Sequence, residues 1–181
     1  MRSAGANPAA VHYHFGSRDE LIRAVLDRTL GPLNDRRLEL LQGLQLRCKG
    51  LPIDVGDLVV ALVMPDLEAL RDLQGRNPRG ARLIGLIYAH PTAFVKERVE
   101  EHFRPVAEQF MPEFARSVPD IPGDEVAWRV RWCVFGTLIA LLSADADDAP
   151  LDLDDLDGSA RRLASFIAGG LTAPMATEGD R

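Results

Sequence analysis

The 181-residue chain is 46% apolar but only 6% aromatic and carries a formal charge of −6, which excludes a protein made mainly of nucleic-acid-binding surface and leaves room for one or two domains with a real core. Two scattered cysteines, Cys48 and Cys133, are too few for a disulfide framework or a zinc site, so a reducing cytoplasm is the expected location. No stretch reads as a signal peptide, and the longest apolar run, Cys133 to Leu142, is too short for a bilayer and is bounded by Arg131 and Asp145, so no membrane partner is expected.

The first element is a glycine turn followed by two capped helices. Gly5 suits the left-handed residue that opens a tight turn. Asn7 is a good N-cap, and Pro8 takes the first helical position, where its missing N–H costs nothing. Gly16 ends this short helix, about 7–15. Ser17 and Glu20 have the spacing of a capping box, and Leu21, Ile22, Val25, Leu26 and Leu30 follow at helical intervals. This pattern fits the back half of a helix-turn-helix and equally a capped two-helix corner of any all-α protein. The small residues Pro8, Ala9 and Ala10 let a backbone approach base edges; His12, Tyr13 and His14 offer polar tips to bases or phosphates; Arg18 and the amides at Ser17 offer phosphate contacts. The charge is uneven in the same sense, at +3 over residues 1–50 and −9 over the remainder.

The remaining chain reads as helix after helix. The helix from Ser17 runs to about Cys48 with a kink expected at Gly31-Pro32. Asp54 caps a helix carrying Leu58, Leu62, Met64, Leu67 and Leu70, bent by Pro65 and closing at Asp72 to Arg76. Asn77-Pro78 opens another, with Leu83, Ile84, Leu86, Ile87 and Tyr88, up to His90-Pro91. Thr92 opens a long helix through Phe94, Val95, Val99, Phe103, Val106, Phe110 and Phe114, which Pro105 and Pro112 are expected to bend or break. After the linker Val118 to Gly123, a helix from about Asp124 to Ser143 is apolar around most of its circumference from Trp132 onward and belongs at the centre or at an interface. An acidic loop precedes a last helix, about Leu153 to Leu171, and the tail from Thr172 is expected to be disordered. No run alternates with period two, so the fold class is all-α.

Apparent sites elsewhere fail on their chemistry. With Asp152 as first ligand, a calcium loop would need glycine at Asp157 and glutamate at Leu163; the acids complement a helix dipole instead. Gly75 to Gly80 continues as Ala81-Arg82 and not as the lysine of a phosphate loop. His12 and His14 lie on different helix faces, and His90 and His102 read as surface or helix-end residues. No metal, cofactor or catalytic constellation is expected, and the chain reads as no enzyme. A pocket between helices would draw on Met64, Phe94, Phe103, Phe110, Trp128 and Phe135, with Tyr88, His90 or Arg129 as polar anchors. Small residues on the last two helices, Gly136, Thr137 and Ala140 on one and Ala164 and Ala168 on the other, flanked by Trp132 and Ile167, suit a two-fold bundle interface.

The segment Ala4 to Leu26 resembles the recognition helix and linker helix of the TetR family of bacterial transcriptional repressors. The resemblance rests on Ala4-Gly5, Asn7, His12-Tyr13-His14-Phe15 and Gly16-Ser17-Arg18-Asp19-Glu20-Leu21. Leu30-Gly31-Pro32-Leu33-Asn34-Asp35-Arg36-Arg37-Leu38, Trp128-Arg129 and Leu163 to Leu171 resemble a branch with fatty-acid-responsive repressors. The resemblance implies a homodimer with residues 1–30 as a partial DNA-binding domain, 31–172 as a helical ligand-binding and dimerisation domain, and 173–181 as tail. It further implies a double-stranded DNA operator and a small apolar, acyl-type effector as partners. Base contacts fall to Pro8, Ala9, Ala10, His12 and Tyr13, and phosphate contacts to His14 and Arg18. Family members carry about forty residues ahead of the turn, so an N-terminally shortened form that binds DNA poorly is expected. In the usual mechanism of such a protein, the effector moves the linker helix and changes the spacing of two reading heads, with Gly31-Pro32 as hinge. The readings that remain are a repressor, a shortened relative that dimerises and binds ligand without DNA, and an unrelated helical enzyme or carrier.

Overall fold

A computed structural model describes residues 17–76, 92–137 and 151–175. All regular structure among these residues is helical, in the order α1 (Arg18–Cys48), α2 (Val55–Arg76), α3 (Ala93–Ser117), α4 (Gly123–Val130) with a π-helical continuation (Arg131–Phe135), and α5 (Leu156–Leu171). The helix expected over Asn77 to His90 and the end of the one expected to reach Ser143 lie outside the described residues.

Local chemistry sets the helix ends. Ser17 Oγ accepts from the Glu20 amide at 3.1 Å while the Ser17 amide donates to Glu20 Oε2 at 3.0 Å, so the capping box of α1 is complete. The helix stops at Lys49, which turns left-handed with φ 49° and donates to the Gln45 carbonyl; Gly50 follows at φ 88°. Asp54 Oδ1 accepts from the amides of Gly56 and Asp57 at the start of α2, and Thr92 caps α3 through the Val95 amide. The last helix begins three residues later than the sequence suggested. Asp152 uses its carboxylate on the Asp154 and Asp155 amides in a turn, and Asp155 then takes the cap, accepting from the Gly158 amide at 2.9 Å.

The prolines do not divide the helices. Pro32 lies inside α1, Pro65 inside α2, and Pro105 and Pro112 inside α3, each of which runs on without a break. The expectation that α3 might be broken is corrected: tertiary packing on both sides holds the turns that proline weakens.

Helix α1 packs on α2 and α3, and α2 packs on α5, which also meets α4 and the π segment. The main core gathers Leu41 and Leu44 of α1, Leu58, Val59, Leu62, Val63 and Leu67 of α2, Val106, Phe110 and Phe114 of α3, Val126, Val130 and Val134, and Leu163 and Ile167 of α5. A smaller cluster of Leu26, Leu30 and Val95, flanked by Ile22, Phe94 and Val99, sits nearer the start of α1. Phe103 packs against both.

Candidate functional site

The buried positions of α1 run Leu26, Leu30, Asn34, Arg37, Leu41 and Leu44, at steps of four and three residues. This is one continuous helical seam whose middle two places are polar. Leucines on either side bury themselves in the two apolar clusters, and Asn34 and Arg37 form a polar layer between them.

Every group in the layer is paired. Arg37 is 1% exposed; its Nε donates to the Leu62 carbonyl of α2 at 3.0 Å, its Nη1 to Asn34 Oδ1 at 2.6 Å, and its Nη2 to Asp66 Oδ2. Asn34 Nδ2 donates to the His102 carbonyl of α3 at 2.7 Å. The guanidinium also lies 4.9 Å from the centre of the Phe103 ring. Burial pushes the Asp66 carboxyl above the usual carboxylate range, and the charge and hydrogen bond of Arg37 pull it back in part. Leu62 precedes Pro65 by three residues, and His102 precedes Pro105 by three. The carbonyls that the prolines deprive of a helix donor are those of Ala61 and Glu101, so α1 bonds to the residue next to each of them.

Two turns nearer the N-terminus, a second tie joins α1 to α3. Arg98 Nε and His102 Nε2 both donate to Asp27 Oδ1 at 2.8 Å, and Arg98 Nη1 donates to Glu101 at 2.6 Å. The Arg98 hydrogen bond first, and that of His102 second, hold the Asp27 carboxyl down at about 2. This group is edged by solvent, the Asp27 side chain being 37% exposed. At the opposite end of α1, Gln45 Nε2 donates to the buried Glu113 at 2.9 Å.

A second candidate is the set of exposed aromatic side chains. Trp128 and Trp132 lie side by side with ring centres 6.4 Å apart, 58% and 60% exposed, and Phe166 of α5 is 73% exposed. Their helix buries Val126, Val130 and Val134, a spacing of four that drifts around an α-helix but fits one carrying a wider π turn. The π segment therefore keeps the core ridge and the two tryptophans on opposite sides.

The expected site residues are distributed unevenly. Pro8, Ala9, Ala10, His12, Tyr13 and His14 lie outside the described residues, as do Tyr88, His90 and Ala140; Arg18 opens α1. Met64, Phe103 and Phe110 meet at the main core and Phe94 sits by the smaller cluster, stacked under Arg23 at 5.3 Å. Trp128 does not join them, because it faces outward. Arg129 is buried, pairs with Glu125 at 2.7 Å, and donates to the carbonyls of Leu171 and Ala173 and to Met175 Sδ. It thereby straps down residues 173–175, which the sequence assigned to a loose tail; 176–181 lie outside the described residues. Trp132 is exposed and Gly136, Thr137 and Ala168 are half-buried, whereas Ala164 and Ile167 are buried in the core of their own chain. His102, read as a surface residue, is half-buried on Asp27. An open cleft of about 690 Å³ beside Ile53, Val60, Ser117, Arg161 and Ser165 includes none of the expected pocket residues.

The family described as the tetracyclin repressor-like C-terminal domain matches residues 60–170, more than half of the chain. The chain belongs to the TetR family. This is a family of ligand-binding regulators, not of enzymes. The matched TetR region takes in most of α2, α3, α4, the π segment and nearly all of α5. It contains Asp66, Arg98 and His102, while Asp27, Asn34 and Arg37 precede it, so the polar layer joins α1 to the TetR-like domain across the domain's edge. No curated protein matches the chain. No described helix is long and apolar enough to cross a membrane.

Proposed function

We propose that this protein is a ligand-responsive, DNA-binding transcriptional repressor that works as a homodimer in the cytoplasm. The observation that carries the reading is α1: a single helix that starts directly after the segment resembling a DNA-reading helix and is fastened, through buried polar bonds, to the ligand-binding regulator domain. Pro8, Ala9, Ala10, His12 and Tyr13 read bases, and His14 and Arg18 hold phosphates. The effector is a small apolar molecule, with an acyl chain as the first candidate, seated near Met64, Phe94, Phe103 and Phe110. Dimerisation uses the face of Trp128, Trp132 and Phe166, large apolar groups that a lone chain leaves in water.

The test is selection from a random duplex library, run on this chain and on the chain extended by the reading frame preceding Met1, followed by competition with acyl chains of graded length. A palindromic consensus released by one length class is the expected result. Calorimetric acyl binding with no selected sequence in either form favours a dimeric ligand-binding protein without DNA; neither activity overturns the proposal.

A further inference from the structure

We infer that Asn34 and Arg37 are positioning residues: together they are the fixed point of α1, and Asp27 with Arg98 and His102 is a separate, releasable tie for the stretch before it. The significance of this device for signalling rests on the regulator reading above; its geometry does not.

Four observations separate the two parts of α1. First, a polar pair set into an apolar seam pairs only in one register, since sliding the helix by a turn would bury Arg37 among leucines and leave Asp66 alone. Second, Asn34 and Arg37 each capture a backbone carbonyl, and the two carbonyls belong to different helices, so α1 is pinned in two directions at one level. Third, everything after this level is tightly held: Leu41 and Leu44 sit in the main core and Gln45 is bonded to Glu113. Fourth, the stretch before it is lightly held. Its apolar cluster has three buried members, its charged tie is edged by solvent, and its own ladder is weak. Pro32 cannot donate to the Arg28 carbonyl, the Thr29 hydroxyl donates back to the Val25 carbonyl at 2.8 Å, and Gly31 carries no side chain. Local opening therefore begins before Asn34 and stops there.

Hydrogen exchange resolved along the chain tests this on the protein without DNA or effector, so its outcome is independent of whether an operator is ever found. In Asp27→Ala, amides of residues 20–30 are expected to exchange about two- to fivefold faster, with those of 38–48 unchanged. In Asn34→Leu, which removes the tie to α3 and the acceptor of Arg37 Nη1 but keeps the Arg37–Asp66 pair, both stretches are expected to speed up together. In Asn34→Leu, Asp27→Ala no longer produces the split. The inference is overturned if Asp27→Ala leaves 20–30 as slow as before, if it accelerates 38–48 equally, or if Asn34→Leu leaves 38–48 unchanged.

Discussion

Asn34 and Arg37 are bonded to one another, Arg37 Nη1 donating to Asn34 Oδ1 at 2.6 Å, while each donates to a carbonyl of a different helix. Neither residue can be replaced alone without leaving the other's partner exposed to a dry surrounding. Arg37→Ala removes a buried cation and strands Asp66; it is expected to lower the unfolding free energy by about 3–5 kcal/mol, read by urea denaturation at fixed protein concentration. Asp66→Asn leaves the buried Arg37 guanidinium without its counter-charge and should cost a comparable amount. A negligible loss in Asp66→Asn would count against a buried ion pair.

The Asp27 tie gives an acid-side prediction. Its folded carboxyl is held near 2, below its ordinary value of 3.8, so the unfolded chain takes up its proton first. The stabilisation is therefore complete above about pH 4 and disappears as pH falls through 4 to 2. The stability difference between the natural protein and Asp27→Asn should be flat at neutral pH and close over that window, as measured by denaturant midpoints at successive pH values. Because solvent screens the pair, the difference itself should be small.

Trp128 and Trp132 are the chain's two tryptophans, and both belong to the exposed face. Tryptophan fluorescence, excited selectively over Tyr13 and Tyr88, thus reports on these two positions alone. If two copies cover it, emission should shift to the blue with rising protein concentration, in step with the mass seen by sedimentation. Trp132→Glu or Phe166→Glu should hold the protein monomeric with red emission at all concentrations, since a carboxylate would be desolvated at the interface.

Gly31 has open space where a side chain would begin, and it lies within a helix. Gly31→Ala should raise stability by about 0.5–1 kcal/mol through helix propensity alone. In the same variant, exchange of amides 20–30 should slow. A loss of stability would mean that the glycine is needed for a bend.

Arg129→Ala leaves the Leu171 and Ala173 carbonyls without their donor. A loss of about 1–3 kcal/mol is expected, with limited proteolysis near Met175 faster than in the natural protein.

The helices were legible in the sequence because their ends are written in local chemistry. Ser17 with Glu20, Asp54 and Thr92 each cap where expected, and the fold class followed from periodicity. The polar layer was harder to read. Asn34 and Arg37 fall on the period set by Leu26, Leu30, Leu41 and Leu44, and that signal was present; the partner of Arg37, Asp66, and that of Asn34, the His102 carbonyl, lie 29 and 68 residues away along the chain. Burial of Ala164 and Ile167 instead of exposure, and the outward turn of Trp128, depend on which side of a helix meets its neighbours. Small residues mark close packing equally well within one chain and between two. A charged residue among apolar ones invites a partner, and the carbonyls that Arg129 bonds lie 42 and 44 residues further along the chain, beyond the reach of local pattern.

Seating α1 on the carbonyls beside Pro65 and Pro105 has a consequence for how this protein can diverge. Backbone oxygens stay in place whatever side chain their residue carries. Surrounding positions on α2 and α3 are therefore free to be repainted for a new small molecule, while the mechanical linkage to the front of the chain is inherited intact.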